Sequence, residues 1–302
     1  MDNPLVASLR IQKISAFDLP ELRPYATLRR PLEHKQQGIF VAESEKVVRR
    51  LLESKLTVVS VVLPEKWLEE YRPLLEARPE NVAVYLADKK LLEGLVGFTM
   101  FQGVLAVGKV PPPVSLAEIL AQSPSPKCFA AVDELANAEN LGALVRNCVA
   151  FGVQALLVGE TSSSPYLRRA VRNSMGTIFQ LPVVELNQKR GPHESSAELR
   201  RRGILGSQKN LTLAQTLLAL RARGVRCIAA HPHTDKRALS EADFSGDCCI
   251  VFGSEGNGIS KAVLESCDEA VAIPMSAGVD SLNVGAAAAV FLYEAKRQRN
   301  KI

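Results

Sequence analysis

The chain has 302 residues, 47% of them hydrophobic and 23% charged, with a formal net charge of +5; that balance excludes a disordered chain and suffices for two domains with separate cores. The opening MDNPLVASLRIQKISAFDLPE carries an acid at its second position and lacks the unbroken apolar run of a signal peptide. Its most apolar stretch, VGAAAAVFLY, is about half of what a bilayer crossing needs, so a cytoplasmic protein with no membrane partner is expected.

A basic leader comes first and predicts helix. Then GIFVAES, LTVVSVVLP, NVAVYLA and GVLAVGKV read as strands, and between them EKVVRRLLES and EKWLEEYRPLLEA repeat apolar residues at helical spacing. This predicts a small α/β domain within residues 1–110. The Pro- and Ser-rich stretch 111–126 predicts a linker. Beyond it, CFAAVDEL, VQALLVG, TIFQLPVVEL, VRCIAAH, CCIVFGSE and EAVAIPM are strand-like, while LGALVRNCVAFG and TLAQTLLALRARG are helical. Regular alternation of this kind predicts a mainly parallel sheet covered on both faces over 127–302, with ligands bound beyond the carboxyl ends of its strands.

The six cysteines show no C-x-x-C spacing and read as reduced, buried hydrophobes. His231 and His233 in AAHPHTD lack a nearby cysteine or carboxylate, which marks a strand-ending turn, so no metal is expected. Between 161 and 210 nine Lys or Arg face three acids. Concentrated positive charge on a near-neutral body suits a polyanion such as nucleic acid, with Arg168, Arg169 and Arg172 as candidate contacts. Residues 187–210 alone read equally well as a solvated loop.

Three strand-end loops carry unusual polarity or glycine. DELANAENLGALVRN (133–147) offers Asn140 as a helix N-cap and Arg146 further into the helix. VFGSEGNGIS (251–260) runs a strand into Gly253, Gly256 and Gly258 around Glu255; this spacing is not G-x-G-x-x-G, which excludes a nicotinamide-binding fingerprint. In PMSAGVDSLNVGAAAAVFLYEAKRQRN (274–300), Ser281 is the expected N-cap. Asn283 then falls inside the first turn, where its side chain competes with the helix.

Taken in order, these loops resemble the SpoU (TrmH-type) family of RNA ribose 2'-O-methyltransferases of the SPOUT class. Asn-x-Gly-x-x-x-Arg matches at Asn140, Gly142 and Arg146; Gly-x-Glu-x-x-Gly at Gly253, Glu255 and Gly258; and Ile-Pro-Met with Ser-Leu-Asn at Ile273, Pro274, Met275, Ser281, Leu282 and Asn283. NSMGTIFQLPV (173–183) is also similar to a family stretch. GIFVAESEKVVRRLL and MFQGVLAV are similar to the Phe-x-Val-Glu-Gly-x-x-x-Val opening and the final strand of the L30e-type domain that often precedes the catalytic one. Two departures stand out: Ala42-Glu43-Ser44 replaces the Glu-Gly step of that opening, and ELANAEN lacks the Asp-Pro that leads into Asn140.

The resemblance implies a SPOUT-type parallel sheet with a C-terminal trefoil knot, preceded by an L30e-like RNA-binding domain. It implies S-adenosylmethionine as cofactor, held at Gly253, Ile273, Met275 and Leu282. It also implies a homodimer, and an active site of Arg146, Asn140, Glu255, Ser281 and Asn283. A guanidinium keeps its proton, so Arg146 is expected to stabilise a developing alkoxide rather than act as base. The leading domain favours ribosomal RNA as substrate. Transfer RNA, or an inactive RNA-binding protein on the same scaffold, are the alternatives.

Overall fold

The computed structural model describes residues 9–96, 103–186, 211–232 and 237–300. It divides into two compact units, one of Met1–Pro112 with Tyr166–Gln180, the other of Pro113–Pro165 with Leu181–Ile302. The basic stretch 187–210 and His233 lie outside the described residues.

In the first unit, β1 (Arg10–Lys13), β2 (Ile39–Glu43), β3 (Val58–Leu63), β4 (Ala83–Leu86) and β5 (Leu105–Lys109) form a mixed sheet in the order β1-β4-β3-β5-β2. The leader, expected to be helical, forms the helices Arg23–Ala26 and Pro31–Gln37 and also supplies the edge strand β1. All four of its side chains are exposed, so it has no apolar face to read in the sequence and is held by backbone pairing to β4. Leu22, Tyr25, Val41, Val62, Leu92 and Leu105 build one core cluster.

Tyr166–Gln180 belongs to this unit although it sits far along the chain. The rings of Tyr166 and Phe179 lie against Phe40 of β2, with centroids 5.7 and 5.4 Å away. This use of Phe179 shortens the strand expected over 177–186. Residues Thr177–Gln180 make a single 3-10 turn, and only Val183–Glu185 becomes strand.

The second unit holds six parallel strands: β6 (Cys128–Val132), β7 (Ala155–Val158), β8 (Val183–Glu185), β9 (Arg226–Ala230), β10 (Cys248–Phe252) and β11 (Glu269–Val271), in the order β11-β9-β10-β6-β7-β8. The central β6 and β10 are buried along their whole length, as continuous apolar runs require when both faces are covered. Alternate residues serve the two faces. Phe129, Ala131, Cys249 and Val251 pack with Leu213, Leu217 and Leu220 of the helix Leu213–Arg221. Phe252 turns to the other face and meets the ring of Phe291 in the terminal helix Val284–Asn300, edge-on at 6.0 Å.

Within the stretch expected to be a linker, Leu116–Gln122 is a helix. Ser115 and Glu118 form a reciprocal capping box at its start, and Leu116 and Ile119 join the second unit's core. No described helix is long and apolar enough to cross a membrane.

Candidate active site

In this strand order the chain runs outward from β6 to β7 and β8, then returns to build β9 and β10 on the other side. Parallel sheets open a crevice at such a reversal, beyond the carboxyl ends of the strands. A cavity of about 270 Å³ lies to one side of that reversal, past the carboxyl ends of β9, β10 and β11. Phe252, Val271, Ile273, Met275, Leu282 and Phe291 give it apolar walls; His231, Ser254, Glu255, Asn257 and Ser281 give it polar ones.

The loop after β10 is folded back on itself, with Ser254 and Gly258 exchanging backbone hydrogen bonds of 3.0 Å in both directions. Gly253 is obligatory in this arrangement, since a Cβ there would fall inside the Gly258 carbonyl and the Ile259 nitrogen. Glu255 is thereby presented, exposed, at the cavity rim.

Both expected helix caps move. The helix Ala138–Phe151 is capped by Asn137, whose side chain accepts from the backbone of Glu139 (2.9 Å) and Asn140 (3.2 Å). Asn137 therefore performs the capping that an Asp would, and Ala138 fills the first helical position where a proline fits well, which accounts for the missing Asp-Pro. Asn140, three residues past the cap, is released from capping.

At the other helix the cap is Asn283, not Ser281. Asn283 Oδ1 accepts the Gly285 N–H at 2.9 Å, and its carbonyl accepts the Ala287 N–H at 2.9 Å. The same side chain donates from Nδ2 to Asn140 Oδ1 at 3.0 Å, and Asn140 Nδ2 in turn donates to Glu255 Oε1. Residues from all three motif loops thus form one hydrogen-bonded chain. Ser281, two residues before the cap, lines the cavity instead.

Gly285 lets the two helices approach. A Cβ there would stand 3.1 Å from both Ala143 Cβ and Asn283 Oδ1, and Asn147 Nδ2 donates to the Gly285 carbonyl at 2.7 Å. Gly285 and its small neighbours in the terminal helix therefore serve its contact with Ala138–Phe151.

Arg146 is exposed on the helix Ala138–Phe151 and is not among the cavity-lining residues of its own chain. It makes no hydrogen bond or ion pair among the described residues. Of the three arginines expected to contact RNA, two are tied down inside the first unit. Arg168 pairs with the buried Glu43, and Arg172 pairs with the same carboxylate at 3.2 Å. Arg169 is exposed.

Sequence reasoning passed over Phe291, and it placed His231 at a strand-ending turn without giving it a site role; both line the cavity. Among the described residues no cluster of His, Cys, Asp or Glu is arranged to hold a metal ion.

Comparison with known proteins adds an independent finding. The model of the SpoU rRNA methylase family matches residues 127–204 and 205–293. An uncharacterized tRNA/rRNA methyltransferase of Mycobacterium bovis is 30% identical across 97% of this chain and 94% of its own length. The 23S rRNA (guanosine-2'-O-)-methyltransferase RlmB of Ralstonia nicotianae is 29% identical across 76% of this chain and 82% of its own. The crystal structure of the SpoU methyltransferase AviRb from Streptomyces viridochromogenes, in complex with AdoMet, shares the fold with a TM-score of 0.72 at 23% identity, over 94% of this chain and 100% of that one.

Proposed function

Because the chain belongs to the SpoU rRNA methylase family, we propose that it is an S-adenosylmethionine-dependent methyltransferase acting on a ribose 2'-hydroxyl of ribosomal RNA in the cytoplasm. One observation carries this reading: the three motif loops, far apart in sequence, meet at a single cavity through the chain Asn283, Asn140, Glu255.

The cavity fits the cofactor chemically. Phe252, Val271, Ile273, Met275 and Leu282 would cover an adenine, the Gly253–Gly258 loop offers close backbone approach, and Ser281, His231 and Asn257 offer polar partners. Bound there, S-adenosylmethionine supplies an electrophilic methyl group. Asn140 holds Glu255 at the rim, and Asn283 holds Asn140, so the carboxylate has a fixed orientation toward an incoming ribose. Transfer of this type is chiefly a positioning problem.

Arg146 supplies the cation that stabilises the developing alkoxide, and it acts in the cavity of a second copy. Support for a homodimer comes from the exposed apolar residues Val290 (41%) and Tyr293 (58%) on the terminal helix, with Phe151 edge-on to Tyr293 at 6.2 Å. Arg146 is exposed on the same helix as Phe151. The trefoil knot and an L30e-like, RNA-gripping first unit complete the reading. The knot is supported by the path of the chain after β11, which returns from the sheet edge to the helix beside β10.

The test combines calorimetric titration of S-adenosylmethionine with methyl transfer to purified ribosomal and transfer RNA, scored by alkali-resistant dinucleotides that report ribose methylation. Arg146→Ala should lower transfer by about 100-fold or more while leaving cofactor affinity largely unchanged. Full transfer by that variant, methylation of a base, or modification of transfer RNA alone would overturn the corresponding part of the reading.

A further inference from the structure

At the amino ends of β6 and β10, at the opposite end of the strands from the cavity, Cys128 and Cys248 are register partners on adjacent parallel strands. Neighbouring strands run about 4.8 Å apart, within the Cα separations that a disulfide spans. Equivalent positions on paired strands project to the same face, so both thiols lie on the side covered by the terminal helix. Arg299, near the end of that helix, places Nη2 3.1 Å from Cys248 Sγ. Its guanidinium also donates to the carbonyls of Phe244 (2.8 Å), Lys127 (2.9 Å) and Gly246 (2.7 Å), which fixes the cation beside the sulfur pair.

We infer that Cys128 and Cys248 are an oxidisable dithiol, a modification site in which a peroxide converts the two thiols to a disulfide. One of the two thiols, as its thiolate, breaks the peroxide O–O bond and forms a sulfenic acid, and the departing oxygen leaves as water with the proton that thiol gave up. The other thiol then attacks the oxidised sulfur; the S–O bond breaks, and its oxygen leaves as water with the second thiol's proton. Two thiols are oxidised, one peroxide is reduced, and two waters form.

The environment sets Cys128 apart, while the Cys128 sulfur and burial raise the thiol of its partner Cys248 well above the ordinary value. The Cys248 thiol and the Arg299 charge favour a Cys128 thiolate and hold its pKa below the ordinary value. Burial pushes the thiols of Cys148, Cys227 and Cys249 up, and Cys267, the most exposed of the six, up to about 12. Reactivity and exposure therefore point to different residues.

The experiment treats the full-length folded protein with hydrogen peroxide and maps peptides by mass spectrometry without reduction. The expected product is one peptide pair joining Cys128 to Cys248, lighter by two hydrogens and restored by dithiothreitol. Cys128→Ser and Cys248→Ser should each abolish it, and Cys148→Ser should leave it. Because the wild-type map decides the matter by itself, a variant that folds poorly does not leave it open. Oxidation of Cys267 first, a bridge from Cys128 to Cys148, irreversible sulfinic acid, or no reaction in the folded protein would overturn it.

Discussion

Asn283 combines two tasks that an amide can perform together. Its oxygen accepts at the start of the terminal helix and its nitrogen donates to Asn140, so helix geometry and the orientation of Glu255 hang on one side chain. Asn283→Asp keeps the acceptor and loses the donor. It should leave the melting temperature nearly unchanged and lower methyl transfer at least tenfold, about the worth of one positioning hydrogen bond to a charged network. Asn283→Ala loses both and should also cost about 1 kcal/mol of stability by denaturant titration. Equal activity of the Asp variant and wild type would remove the donor from the argument. The residue types of the site were legible in the sequence through motif order. Their local roles were not, because Asn140 and Ser281 have good capping chemistry of their own, and only the fold decides that Asn137 and Asn283 take the caps.

The terminal helix shows what pattern can and cannot reveal about an element. Its small residues signal close packing, but the partner, Ala143 and Asn147 of another helix, comes from tertiary structure. Near its end Glu294 accepts from Arg297 (2.7 Å) and Gln298 (2.8 Å), and these bonds lower its carboxyl from 4.5 to about 2. A depressed carboxyl stabilises the folded state fully above its unfolded value and loses that contribution as pH falls toward the folded one. Acid titration of helicity should therefore show stability falling between about pH 4.5 and pH 2, and Glu294→Gln should flatten the fall in that window. An unchanged titration in the Gln variant would show that other carboxylates govern the acid limit. Elements with an apolar stripe or buried run, such as β6, β10 and Ala138–Phe151, were readable. The exposed β1 and the turn Thr177–Gln180 were not, since backbone pairing and an aromatic contact with Phe40 decide them.

At the scale of the molecule, the sequence suggested one passage from a first domain to a second through a Pro-rich segment. The chain in fact passes between its two units three times, because Tyr166–Gln180 is counted with the first. That segment carries the arginines that neutralise Glu43, which is 3% exposed. A fragment ending at Pro112 lacks both arginines and the helix packed on β2, and breaking a buried pair costs about 3 kcal/mol. Glu43→Gln should therefore destabilise the full chain and leave that fragment nearly unchanged, as read by thermal melting of each. Equal effects in both would mean that the ion pairs contribute nothing to the first unit.

Synthesis gives this arrangement a direction in time. The first unit begins to emerge from the ribosome earliest, yet its last piece arrives only with residue 180, by which point β6 and β7 of the other unit are already out. The leading half of the polypeptide is therefore completed by a piece of the trailing half.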